Sequence, residues 1–321
     1  MMFGWPKKDR ARGWTGVDIT ADGLFGASVQ PPAKVGGKPQ VIKCGFMPAS
    51  DTTTDITADL LSKLARKIAV AGFPISLPLN RSDYQILVMP EPPVKKDEME
   101  QSIRWSLGSI LEYPPEQANI EWITIPTKQH LPLRAVQIYI IVVRSSVIQQ
   151  RAELFRQARQ PLQAIEIRET AQRNIATLLE RPGEGLALVV IGSRGVEITF
   201  TFEGELFLDR YIDIPLLASL LSDEEERIKV FDRITLQLQR SIDLINRTLT
   251  FMSIGRIIIA PLPLSLAFYE HLTQNISVPV EMLNLESIFD LSLTPELMDE
   301  KNQTPYLSSL GAALRGMGNT V

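Results

Sequence analysis

The chain has 321 residues, with 33 Lys+Arg against 37 Asp+Glu, two His and one Cys. At ~150 residues per domain this length fits two domains or one large duplicated unit, and 45% hydrophobic with 22% charged residues excludes wholesale disorder, collagen and coiled coil. A net charge of −4 argues against a general nucleic-acid binder. The single Cys44 excludes a disulfide framework or a cysteine zinc cluster, and His130 and His271 cannot make a three-histidine metal site.

Residues 1–13 read as a tail carrying Lys7, Lys8, Arg10 and Arg12 beside Phe3 and Trp5. Aromatic plus basic residues suit the headgroup layer of an anionic membrane. Gly4 and Pro6 bar a helix, so a solvated tail is the simpler reading. No apolar stretch follows that would make a signal peptide, and no run reaches the ~18 apolar residues of a spanning helix. The expected compartment is the cytosol, where Cys44 stays a reduced packing residue.

Trp14–Asp22, Leu24–Val29 and Val41–Phe46 read as strands, the last pair joined across the hairpin signal Gly36-Gly37, and Asp59–Ala71 as a helix. The pattern recurs at Leu186–Ile191, Val196–Phe202 and Leu206–Ile212, followed by a helix over Ser222–Met252. That helix opens on a Ser222/Glu225 capping box and carries one apolar stripe through Phe231, Ile234, Leu238, Ile242 and Ile245. Gly255 is read as its stop, before a strand over Arg256–Ala260. Between the repeats lie a strand at Tyr84–Met89, a helix at Asp97–Tyr113 stopped by Pro114-Pro115, strands at Ile120–Ile125 and Val136–Val143, and a helix at Ser145–Arg159. A short strand, Gln163–Ile167, leads into a bridging helix, Glu169–Leu179, and Thr304–Arg315 is a last helix that returns to the first half. The expected units are therefore 14–165, with an inserted α+β subdomain at about 81–145, then 166–302, then a C-terminal helix within 303–321.

Two βββαβα halves, an insertion and a bridging helix resemble the actin-like (RNase H-like) α/β architecture. Glu100-Gln101-Ser102-Ile103-Arg104-Trp105 followed by Tyr113-Pro114-Pro115 is similar to the E-x-x-I-R-W…P-F-P block of PilM-like type IV pilus assembly proteins, most of all the MshI group of MSHA pilus biogenesis. Val142-Val143-Arg144, Gln239-Arg240-Ser241 and Gly311-Ala312-Ala313-Leu314-Arg315 continue the resemblance in order, over roughly residues 16–316.

The resemblance implies an ATP site between the halves, and the residues there depart from it. The family's G-I-D-I-G-S reads Gly16-Val17-Asp18-Ile19-Thr20-Ala21, keeping Asp18 but placing Thr20 where a glycine belongs. The second turn keeps Gly192 and Ser193, yet its aspartate is Val190. The D-x-E of the bridging segment is Glu166-Ile167-Arg168, and the adenosine turn A-G-G is Ala260-Pro261-Leu262-Pro263, which lacks N–H groups and space. The lid region, Asp213–Arg233, is short. The expectation is an actin-like fold with no catalytic residues, no metal and no tightly held cofactor; Asp18, Thr20, Glu166, Gly192 and Ser193 remain as a degenerate nucleotide site able at most to hold Mg-ATP weakly.

Binding is expected elsewhere. Trp105 projects from its helix opposite Met99, Ile103 and Leu107, among small and acidic residues, as an aromatic anchor or as packing against a neighbour. The resemblance implies that a groove near Ile103, Trp105 and Tyr113 captures, as an extended peptide, the cytoplasmic tail of a bitopic PilN-like inner-membrane protein. The reading is thus a cytosolic, peripherally membrane-associated scaffold that couples that partner to the assembly motor and is open to self-association. Its rivals are an active actin-like ATPase that gates docking, and a GspL-like type II secretion protein, against which the end at Val321 without a span counts.

Overall fold

The computed structural model describes residues 13–34, 36–49, 56–126, 136–192, 195–214, 223–261 and 265–317. The tail before Gly13, His130, Ser193, Ser222, Leu262 and Pro263 lie outside these residues.

The first half builds one five-stranded sheet. β1 (Trp14–Ile19), β2 (Gly23–Gln30) and β3 (Gln40–Pro48) form an antiparallel meander, and β4 (Ile75–Pro78) and β8 (Leu162–Glu166) add parallel to β1, giving the order β3-β2-β1-β4-β8. α1 (Ala58–Ile68) crosses from β3 to β4, its first turn capped by the Thr57 side chain, and buries Leu61, Leu64 and Ile68 on the sheet. Between β4 and β8 a separate three-stranded sheet is inserted, order β5-β7-β6, from Tyr84–Pro90, Gln137–Arg144 and Ala118–Thr124. α2 (Met99–Leu107) covers that small sheet, and α3 (Ser145–Gln157) returns the chain to β8.

The second half repeats the order. β9 (Gly185–Gly192), β10 (Gly195–Phe202) and β11 (Glu205–Asp213) form the meander, and β12 (Ile254–Ile259) and β13 (Val280–Met282) complete β11-β10-β9-β12-β13. The bridging helix α4 (Arg168–Leu179) precedes it, α5 (Glu224–Thr248) and α6 (Ser265–Asn275) make its crossovers, and a single turn α7 (Leu285–Ile288) leads to α8 (Gln303–Ala313). One strand order used twice makes this a duplicated actin-like fold.

α4 and α8 seal the halves together. A cluster of buried side chains runs from Ala27, Val29 and Val41 through Ile175 and Leu310 to Leu188, Val190 and Ile258. The helices approach so closely that a Cβ on Gly311 would stand 2.2 Å from the Ala171 carbonyl oxygen, and one on Gly16 would stand 1.8 Å from that of Ser309. Only glycine fits at either point.

Several boundaries differ from the sequence reading. α2 ends at Leu107 instead of Tyr113, because Gly108-Ser109 lets the chain turn six residues before Pro114. α5 is capped by Asp223, whose Oδ1 accepts the Glu225 N–H at 2.9 Å. It ends at Thr248, and Gly255 sits inside β12 rather than stopping the helix. β4, β13 and α6 have no counterpart among the elements expected from the sequence. Of the expected short lid, Asp213–Arg233, residues 215–222 lie outside the described ones, and Glu224–Arg233 form the first turns of α5.

Candidate functional site

The two halves meet at the end of β1, the start of α4 and the start of β10. Asp18, on β1, is 1% exposed. Arg168 opens α4 and aims its guanidinium at Asp18, Nη1 donating to Oδ1 at 3.2 Å and Oδ2 at 3.4 Å. Its Nε stands 2.9 Å from Oε1 of Glu197, on β10 of the second half. One turn along α4, Gln172 donates its side-chain N–H to the other Glu197 oxygen. A single four-fifths-buried cation therefore ties together carboxylates from both halves (side-chain exposures 19%, 2% and 17% for Arg168, Asp18 and Glu197). Burial opposes the charge on Arg168, but Asp18 and Glu197 outweigh it and hold the guanidinium pKa above its ordinary value.

Glu197 is the residue that sequence reasoning missed. It pairs directly with Val190 across the β9–β10 register, so the acid absent from β9 is replaced from the neighbouring strand. The signal was a lone charged residue inside the otherwise uncharged strand Val196–Phe202, since carboxylates are rarely buried unpaired.

The remaining expected nucleotide residues are scattered. Thr20 spends its hydroxyl on its own turn, donating to the Gly23 carbonyl at 3.0 Å. Gly192 closes the β9–β10 hairpin opposite Gly195 and is exposed; Ser193 lies outside the described residues. Glu166 is buried beneath the cleft, accepting from Ser76 and, at 3.1 Å, from Thr170, with Arg315 3.8 Å away. Burial raises its pKa against those partners. Pro261, at the expected adenosine turn, is buried, and its carbonyl accepts from Thr304. Among the described residues no group of three His, Cys, Asp or Glu could hold a metal ion. A half-open cavity of about 580 Å³ lies at the other end of β1, lined by Val17, Ile68, Phe73, Ile75 and Pro161 without any charged side chain.

A second acidic cluster adjoins the first. Glu169 is buried where β5, α4 and β11 meet; Tyr84 donates to its Oε2 at 2.6 Å and Arg81 Nε lies 3.4 Å from Oε1. Burial, with help from Glu197 and Asp209, pushes the Glu169 carboxyl up to about 7, although the Tyr84 hydrogen bond works against it. Burial raises Asp209 as well.

The partner-facing trio divides. Trp105 is 91% exposed. Tyr113 is half-buried, with the Arg144 guanidinium 3.9 Å above its ring. Ile103 is 0% exposed, packed with Leu107, Ile120, Ile138 and Val142 under the inserted sheet, which removes it from any partner-facing surface.

No family model matches this sequence, and no curated protein is significantly similar to it. Among solved structures, a chain of a PilM–PilN type IV pilus biogenesis complex superposes with a TM-score of 0.74 at 16% identity, over 95% of this chain and 99% of that one. The fold is actin-like. The cytoplasmic domain of EpsL, an inner-membrane component of the type II secretion system of Vibrio cholerae, gives 0.48 at 9% identity over 91% and 94% of the two chains. A protein of Bacteroides thetaiotaomicron with an actin-like ATPase fold and unknown function gives 0.47 at 10% identity over 92% and 99%. No helix among the described residues is long and apolar enough to cross a membrane.

Proposed function

We propose that this protein is a cytoplasmic scaffold of the inner-membrane assembly platform of a type IV pilus, of the MSHA (MshI-like) kind. It holds the cytoplasmic tail of a PilN-like bitopic membrane protein, links it to the assembly motor, and does not hydrolyse ATP. The near full-length likeness to a chain of a PilM–PilN complex supports the pilus assignment.

The observation that carries the non-catalytic reading is the Asp18–Arg168–Glu197 clamp. An actin-like nucleotide site needs carboxylates free to bind Mg²⁺ through their oxygens. Here those oxygens face a permanent cation held by the chain itself, and a second, divalent one beside it would meet repulsion. The residues present do not fit Mg-nucleotide, and Pro261 leaves no N–H where an adenosine platform would need one. The half-exposed Tyr113 and fully projecting Trp105 supply an aromatic edge on the inserted subdomain suited to an extended peptide.

Thermal unfolding with Mg-ATP tests the first part. A ligand at ~100 Kd stabilises by about 2.7 kcal/mol, so a shift of that size, abolished by Asp18→Ala, would return the protein to the ATPases. Capture of the N-terminal tails of PilN-like proteins on immobilised protein tests the second part. Capture of GspL partners in their place would assign it to a type II secretion platform.

A further inference from the structure

The long helix α5 has two faces. Phe231, Ile234, Leu238, Ile242 and Ile245 are buried against the second sheet. Directly opposite, Arg233, Arg240 and Arg247 recur every seven residues and are all exposed. Seven residues advance 700°, ~20° short of two turns, so the three form a nearly straight row of ~21 Å. Leu236 and Leu244 flank it, ~40° to either side of Arg240, and are 43% and 41% exposed.

The row is unusual in its lack of counter-charge. In the first turns of α5, Arg227 pairs with Glu224 and Lys229 with Glu225 and Glu226. Among the described residues, none of the three arginines is ion-paired. Asp232 stands 3.3 Å from His271 Nε2, and Asp243 stands on the flank. Among the described residues, a chain of net charge −4 thus has three exposed guanidiniums in one line without an ion pair, with Asp243, four residues before Arg247, as the acid nearest the row.

We propose that this face of α5 rests on an anionic lipid surface, the arginines among the headgroup phosphates and Leu236 and Leu244 at the acyl boundary. Charge complementarity calls for an anionic occupant. The exposed leucines beside the arginines favour a bilayer over an acidic protein, because cationic and apolar side chains on one solvent-facing side of a helix suit the boundary between headgroups and acyl chains. This face is independent of Trp105 and of partner capture. It would set the second half against the membrane and leave the inserted subdomain free.

Flotation of the full chain with phosphatidylglycerol-containing vesicles, against pure phosphatidylcholine vesicles, tests the proposal. Binding is expected to the anionic vesicles only, and to fall steeply with salt. At roughly a five- to tenfold loss per arginine, R233Q/R240Q/R247Q should weaken it about a hundredfold or more. Glutamine keeps the helix propensity of arginine, and R233K/R240K/R247K should retain vesicle binding, because headgroup attraction needs charge rather than a planar fork. Unchanged binding by the glutamine variant would place the membrane contact elsewhere, the residue 1–12 tail included, and overturn the proposal. Loss in the lysine variant equal to that in the glutamine variant would overturn it as well. So would row-dependent binding of poly-glutamate by a protein that ignores anionic vesicles, which would give the face to an acidic protein.

Discussion

Replacing Arg168 with glutamine tests the clamp directly. The change removes the cation and leaves two carboxylates facing across the cleft, Asp18 at 2% and Glu197 at 17% side-chain exposure. Taking one partner from a buried ion pair costs about 3–5 kcal/mol, because the remaining charge stays desolvated and unpaired. Against a total stability of roughly 5–15 kcal/mol, that is a large fraction. Urea unfolding of native protein and variant at about pH 8 should show the loss. Asp18→Asn in the same chain should restore a sizeable part, so the double-mutant cycle reports coupling well above the ~0.5 kcal/mol of independent sites. Freed of Arg168, the two acids should also answer to Mg²⁺. At ten times its Kd the ion would return about 1.4 kcal/mol to the variant and nothing to the native protein. A cost below ~1 kcal/mol for Arg168→Gln, or full additivity with Asp18→Asn, would show that the clamp holds nothing.

Glu169 makes a pH-dependent contribution of opposite sign to that of an ordinary salt-bridged carboxylate. Its pKa rises from 4.5 to about 7 on folding. The folded state therefore holds a proton that the unfolded chain releases, and the stability this gives is full below about pH 4.5 and lost as pH climbs toward 7. At 1.36 kcal/mol per pH unit the swing is at most about 3 kcal/mol; Glu169→Gln should flatten that part of the curve, and an unaltered difference curve would contradict the assignment. Trp105→Ala should leave the urea midpoint within about 0.5 kcal/mol, since the ring is almost wholly exposed. It should weaken capture of a PilN-like tail by tenfold or more, as loss of a hot-spot aromatic does, and equal capture would move the groove elsewhere. Ile103→Ala should behave in reverse, costing about 2–5 kcal/mol through the cavity it opens, measured by urea unfolding. Gly311→Ala should force α8 off the Ala171 carbonyl and lower the melting temperature; an unshifted value would contradict so close an approach of the two helices.

The duplication was legible because it is written in local signals: apolar strands separated by tight turns, repeated with the same spacing, then a helix with a clean 3.6-residue stripe. β4 and β13 were not, being four and three residues long and ending or starting next to prolines. The site was half legible. Asp18 and Arg168 could be found by position, but Glu197 enters the cleft only through the register with Val190, a pairing that no short-range pattern encodes. Ile103 shows the opposite failure. Met99, Ile103 and Leu107 fall on one helix face, and that periodicity already placed all three in a core. Motif resemblance drew Ile103 toward a partner surface, and packing overrules it.

A nucleotide-gated cleft closes because its ligand binds the closed arrangement better than the open one, so the halves must be free to part when the ligand leaves. In this protein the tie between them consists of side chains. Arg168 sits at the first residue of α4 and reaches β1 on one side and β10 on the other. Beneath it, Ile175 and Leu310 join the two sheets in one apolar cluster. Rotating the halves apart would strand three buried charges and unseal that cluster together, each a cost of several kcal/mol. Side chains of the chain itself therefore favour keeping the two halves together. The scaffold role proposed above, holding one partner at a constant position, calls for such a tie, and a nucleotide cycle would work against it.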